Sequence, residues 1–256
     1  MRLSPFAPLD RWLAPPPAGA RIGWLRGACF AHRGRHGPGA AENSATAFAR
    51  AIAGGLGIEC DVQLSADDDA VVFHDFTLER MTGNSGAVID RPAAALTALA
   101  LAGGGDRIQT LAALLDQVAG QVPLLIELKS RRRWPIARLC AAVRRALAAY
   151  RGQVAVMSFD PRAPGWFARH APALARGLVV TEEASGRGGD IARHLALWRA
   201  RADFLAYDIR DLPSAFAAAQ RARGLPLVSW TVRSPELRAR ALALADAPIA
   251  EGAGLP

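Results

Sequence analysis

The sequence predicts an α/β fold, a (β/α)8 barrel. Three observations carry this: eight short apolar runs rich in β-branched residues, seven Ala/Leu/Arg stretches of helical period set between them, and a length of 256 residues that suits one such barrel. The strand-like runs are residues 28–33, 57–63, 123–129, 154–159, 177–181, 204–208, 227–231 and 247–250. The helical stretches are 44–53, 110–119, 135–150, 164–170, 191–199, 213–223 and 235–245. Proline at or near several helix starts fits the first turn, where a missing N–H costs nothing. The eighth run lies a few residues from the end of the sequence, so the last helix is expected to be truncated or missing. A short helix at 5–13 is a substitute that could cross the barrel bottom.

One departure from the βα rhythm follows the second run. Residues 71–75 read as an extra strand, and about 76–107 carry Gly, Asn and Ser turn residues, the signature of a short inserted hairpin and loop. The expected organisation is one barrel domain over 1–256, with 1–27 as an N-terminal extension.

Composition narrows the class. The chain is 51% hydrophobic and 21% charged, an ordinary globular balance, and 31 Lys+Arg against 23 Asp+Glu leave a net charge of +8. Arginine-rich helix faces account for the excess, and with only two Tyr and dispersed Trp there is no stacking platform for nucleic acid. Cys29, Cys60 and Cys140 form no CxxC pair, which argues against a disulfide framework or a cysteine-bound zinc and for a reducing compartment. Without a run of about 18 apolar residues or a signal-like start, the reading is a cytoplasmic protein with no stable membrane insertion.

Barrel chemistry collects at strand C-terminal ends. There the sequence places His32-Arg33-Gly34, Glu59-Cys60-Asp61 and Glu127-Leu128-Lys129, with His74-Asp75 closing the extra strand. Glu59 and Asp61 are two apart, as are Glu127 and Lys129, so each pair faces one side of its strand. Three carboxylates without sulfur ligands suit a hard divalent cation such as Mg2+ or Ca2+. The competing reading is a structural ring in which Glu59 and Glu127 pair with Arg33 and Lys129. Two histidines, His32 and His74, could supply general base and general acid in one displacement. Three carboxylates, a divalent cation, Arg33 and Lys129 leave one positive charge, which a phosphodiester monoanion would neutralise.

The ordered motifs HRG at 32–34, Glu42-Asn43-Ser44, Glu59-Cys60-Asp61, His74-Asp75, IELK at 126–129, SFD at 158–160 and SWTV at 229–232 resemble the glycerophosphodiester phosphodiesterase family. The resemblance implies a TIM barrel, divalent metal dependence and cleavage of glycerophosphodiesters to glycerol 3-phosphate and an alcohol. It also implies His32 and His74 as acid and base, Glu59, Asp61 and Glu127 as metal carboxylates, Arg33 and Lys129 beside the phosphate, and Trp230 along the alcohol side of the pocket. The substrate expected is a small molecule. A lysophospholipase D relative is the enzyme alternative, which would use an apolar lip near Trp134, Trp166 and Phe159; a phosphodiester-binding barrel without turnover is the other. The chain departs from the family pattern at Ser44, at Asp67-Asp68-Asp69-Ala70, and at its last strand, where 246–252 read DAPIAEG.

Overall fold

The computed structural model describes residues 6–17, 19–131, 133–182 and 189–256, and its element order is that of a (β/α)8 barrel. All eight expected strands form, within two residues of their expected ends. The chain divides into two compact units, Phe30–Val154 and the remainder.

The unit Phe30–Val154 holds β1 (Phe30–His32), β2 (Gly57–Leu64), β3 (Ala70–Val72), β4 (Gln109–Thr110) and β5 (Leu124–Leu128). β2 runs parallel to both β1 and β5, and it is buried along its whole length, as a parallel strand covered on two faces must be. Ile58, Cys60 and Val62 therefore occupy one face, and Glu59, Asp61 and Gln63 the other. Ser44 caps helix Ala45–Ala53 by accepting from Ala47 N at 3.2 Å, as its place before that helix suggests. Helix Leu111–Val118 buries Leu111, Leu114, Leu115 and Val118, the i, i+3, i+4, i+7 stripe.

The insertion is more ordered than a hairpin and loop. β3 pairs antiparallel with β2 and β4 with β3, while helical turns at Glu79–Thr82, Val88–Asp90 and Ala93–Thr97 fold between them. Phe73, Leu78, Met81, Val88, Leu96 and Ile108 close a small core of their own. Turns this short present too few residues for a helical period to register.

The second unit holds β6 (Val154–Ser158), of which all but Val154 belong to it, β7 (Ala175–Val180), β8 (Phe204–Asp208), β9 (Leu227–Val232) and β10 (Ala247–Ala250). β6 to β10 pair in sequence order, all parallel. Gly177 is required here, since a Cβ would come within 2.4 Å of the Phe204 ring. Asp246 fixes the start of β10 by accepting from Leu227 N at 2.8 Å and pairing with Arg221 at 3.1 Å, and Glu251 pairs with Arg233 at 2.6 Å. After β10 the sequence makes only a 3-10 turn, Gly252–Gly254.

The N-terminal helix forms over Ala7–Leu13 and packs on helices Gly189–Ala200 and Ala215–Ala222. Its buried Asp10 lies 2.8 Å from each of His194 Nδ1, Trp198 Nε1 and Gln220 Nε2. His194 is buried, with Asp10 as the partner of its Nδ1. Asp10→Ala leaves three inward-facing polar groups without their acceptor, and should cost about 2–4 kcal/mol. A thermal melt that shifts by less than about 3 °C would show that water replaces the carboxylate.

Glu182, after β7, is engaged within this unit: it accepts from Tyr207 Oη and from Ser214 Oγ and lies 3.7 Å from Arg193. Its neighbour Glu183 lies outside the described residues. No helix among the described residues is long and apolar enough to cross a membrane. None of the three cysteines is in a disulfide, and Cys60 is buried on the face of β2 opposite the acids.

Candidate active site

The parallel register builds an acidic centre from two adjacent strands. Asp61 of β2 stands beside Glu127 of β5, and Glu59 stands beside His32 of β1. Glu59, Asp61 and Glu127 are all buried, and one carboxylate oxygen from each lies within 4.8 Å of the others. Lys129 places Nζ 2.9 Å from Glu127 Oε1 and 3.5 Å from Asp61 Oδ1. His32 Nε2 is 4.0 Å from Glu59 Oε2.

Arg33 joins this centre through a strained turn. It has φ 55°, and so does Asn43, left-handed conformations that cost an L residue about 1 kcal/mol or more unless the surroundings impose them. Here the surroundings do. Asn43 N donates to Arg33 O at 2.9 Å; the Asn43 amide donates to Asp61 Oδ2 at 2.9 Å and accepts from Asp61 N at 3.2 Å. Arg33 N donates to Glu59 Oε2 at 3.1 Å, Arg33 Nη1 to Glu42 Oε1 at 2.9 Å, and Arg33 Nε lies 3.3 Å from Asp61 Oδ2. Gly34 follows with φ 78°, and a Cβ there would lie 2.9 Å from Ala47 and Phe48.

His74 is delivered by the segment after β3. Gln63 Nε2 donates to Phe73 O at 3.0 Å and to Asp75 O at 2.5 Å, and Phe73 N donates to Asp61 O at 3.0 Å, so β2 itself carries the histidine. His74 Nδ1 is 2.7 Å from Asp75 Oδ1. Arg80 then bonds both oxygens of Asp75, at 2.5 and 2.9 Å, and both oxygens of Glu42, at 2.6 and 3.1 Å.

The charges are not balanced. Burial pushes Asp61 up, but Lys129, Arg33, His74 and the Asn43 amide outweigh it and hold this carboxyl well below the usual range. Burial, reinforced by Asp61 and Glu127, drives Glu59 well above the usual range, and Arg33 offsets only part of that. Hydrogen bonds from Arg80 and His74 lower Asp75 to about 2 against the cost of burial. In the connected network five carboxylates, of Glu42, Glu59, Asp61, Asp75 and Glu127, face three permanent cations, Arg33, Arg80 and Lys129. The deficit is two positive charges. A divalent cation among three carboxylate groups supplies them, and the all-oxygen donor set with one member pushed toward protonation fits such an ion.

Seven of the eight residues singled out in the sequence thus lie within the unit Phe30–Val154. Trp230 belongs to the other unit, where its Nε1 donates to Ala206 O at 2.9 Å and Phe159 meets its ring edge-on at 5.5 Å between centroids. Gln63 and Arg80 escaped the sequence reading. Gln63 had a signal, since it continues the alternation of Glu59 and Asp61. Arg80 had none, because it sits on a four-residue turn with no period, Glu79–Thr82.

The profile of the glycerophosphoryl diester phosphodiesterase family matches residues 32–250. A Bacillus subtilis (strain 168) protein with the provisional name glycerophosphodiester phosphodiesterase YhdW is 41% identical over 107 residues, which are 39% of this chain and 44% of that protein. The match therefore spans less than half the length of this curated relative. A provisionally named glycerophosphoryl diester phosphodiesterase from Silicibacter pomeroyi DSS-3 superposes with a TM-score of 0.77 at 26% identity, over 90% of this chain and 93% of that one. An Oleispira antarctica phosphodiesterase, solved with the product sn-glycerol-3-phosphate, shares the fold with a TM-score of 0.74 at 24% identity, over 88% of this chain and 93% of that one. These superpositions bear out the (β/α)8 barrel, and the profile match over most of the sequence places the chain in the glycerophosphoryl diester phosphodiesterase family.

Proposed function

We propose that this chain hydrolyses glycerophosphodiesters to glycerol 3-phosphate and an alcohol, with a divalent cation, Mg2+ or Ca2+, held by Glu59, Asp61 and Glu127. The observation that carries the reading is the trio of buried carboxylates gathered within 4.8 Å and flanked by His32, Arg33 and Lys129. When bound, the cation would supply positive charge against the phosphoryl oxygens. The product seen with the Oleispira antarctica relative belongs to the same chemistry.

In this reading Arg33 and Lys129 bind the phosphate and offset charge that grows on its equatorial oxygens. One histidine takes the proton from a glycerol hydroxyl as that oxygen attacks phosphorus. The other gives its proton to the departing alcohol, leaving a cyclic phosphate and two histidines with exchanged protonation. Water then opens the ring, the histidines work in reverse, and both return to their starting states. Because the Asp75 carboxylate engages His74 Nδ1, Nε2 is the His74 nitrogen left to exchange a proton with substrate. Trp230 keeps the role its motif implies, an aromatic wall for the alcohol, and its assignment rests on the motif. Three cysteines outside any disulfide suit a reducing, cytoplasmic setting.

The test is release of glycerol 3-phosphate from glycerophosphocholine and glycerophosphoethanolamine with Mg2+, Ca2+ or EDTA. Release that requires the cation supports the reading. No release, with turnover of lysophosphatidylcholine instead, moves the chain to the lysophospholipase D alternative; binding of a phosphodiester without turnover moves it to the non-catalytic one.

A further inference from the structure

Arg80 is half exposed and makes four hydrogen bonds, two to each of two carboxylates that lie 33 residues apart in the sequence. An arginine at the surface gains little stability from ion pairs, so this pattern is poorly explained as a brace for the fold. What distinguishes its partners is what they hold. Asp75 sits 2.7 Å from Nδ1 of His74, and Glu42 accepts at 2.9 Å from the guanidinium of Arg33.

We propose that Arg80 is a positioning residue for the reaction, clamping Asp75 on one side and Glu42 on the other so that His74 and Arg33 face the phosphate together. The inference rests on the proposed phosphodiesterase reading. The chemistry of the fork explains why arginine is used: a planar guanidinium can meet two carboxylates along two edges at once, which an ammonium cannot. Glu42 is shared, since Oε1 accepts from both Arg33 and Arg80, so a shift of Arg80 is felt at Arg33. Asp75 is shared as well, since Oδ1 faces both His74 and Arg80. Among the described residues the hydrogen bonds of Arg80 go to Asp75 and Glu42, so its effect on the reaction passes through these two acids.

The test compares Arg80→Ala and Arg80→Lys with the unmodified protein, each saturated with cation, on glycerophosphocholine. Arg80→Ala should lower kcat about 10- to 100-fold, the scale of a misplaced catalytic group, while cation affinity and melting temperature stay close to those of the parent. Arg80→Lys should recover only part of the loss, and added guanidinium ion should restore turnover to Arg80→Ala better than ethylammonium does. The two arms separate: Asp75→Asn should act on kcat, and Glu42→Gln should also raise KM through Arg33. An unchanged kcat in Arg80→Ala, or a loss that follows cation affinity or melting alone, overturns the proposal. If the unmodified protein turns over no phosphodiester, the functional reading fails on its own. The positioning role is then decided by the nitrogen NMR shifts of His74: a single Nδ1–H tautomer in the parent that becomes a mixture in Arg80→Ala supports it, and identical spectra overturn it.

Discussion

His74→Ala is expected to lower kcat by about 10^2- to 10^4-fold, the contribution of one positioned acid or base, while the protein still folds and still binds its cation. The geometry separates these outcomes. His74 is half-buried on a segment after β3, held through backbone carbonyls by Gln63, so removing the imidazole leaves the path of the chain intact. It is also no member of the carboxylate trio. The same substitution assigns the proton step. With glycerophosphocholine the leaving alcohol needs a proton; with a p-nitrophenyl phosphodiester it does not. If His74 is the acid, the loss in single-turnover release of the alcohol should shrink by at least tenfold on the activated substrate, and His32→Ala should show the same loss on both. The reverse pattern makes His32 the acid. Turnover by His74→Ala within tenfold of the parent, on both substrates, removes His74 from the chemistry.

The extent to which this site is written in the sequence follows from how each residue is carried. Glu59, Asp61 and Glu127 are legible because a parallel strand buried on both faces admits charge only where function or pairing demands it, and because a period of two assigns each to a face. His32 and Lys129 are legible by standing at strand ends. Legibility stops where the backbone leaves regular structure. Arg33 and Asn43 take left-handed conformations that no pattern announces, and Arg80 reaches Asp75 and Glu42 only because the inserted segment folds around its own core. The insertion read as turns, since its helical pieces are only three to five residues long. The burial of His194 is hidden for a related reason: it is set by Asp10, more than 180 residues away in sequence, and one helix considered alone carries no trace of that partner.

The carboxylate trio yields the second large effect, and it decides between a cation site and a structural ring of salt bridges. Glu59 carries a pKa raised above its ordinary 4.5, with burial the main cause and Asp61 and Glu127 adding to it. Folded protein therefore holds a proton that unfolded protein has released, in the window from about 4.5 up to the raised value. Stability of the cation-free protein must then fall as pH rises through that window. A divalent cation competes with this proton and reverses the trend. At a hundredfold excess over its Kd, Mg2+ or Ca2+ should add about 2.7 kcal/mol, or roughly 5–10 °C in melting temperature for a chain of this size. Glu59→Gln removes the like-charge repulsion. It should leave the cation-free protein as stable as the parent or more so, abolish the cation-induced rise, and lower turnover about 10^3-fold, equivalent to several kcal/mol of charge stabilisation. Glu127→Gln should behave differently, because it takes the negative charge from the 2.9 Å partner of Lys129 and leaves a nearly buried ammonium with Asp61 as its counter-charge; a loss of about 3 kcal/mol in the cation-free state is expected. A structural ring predicts the opposite for Glu59. Its loss would destabilise the cation-free protein, and cation would leave the parent's melting curve where it was.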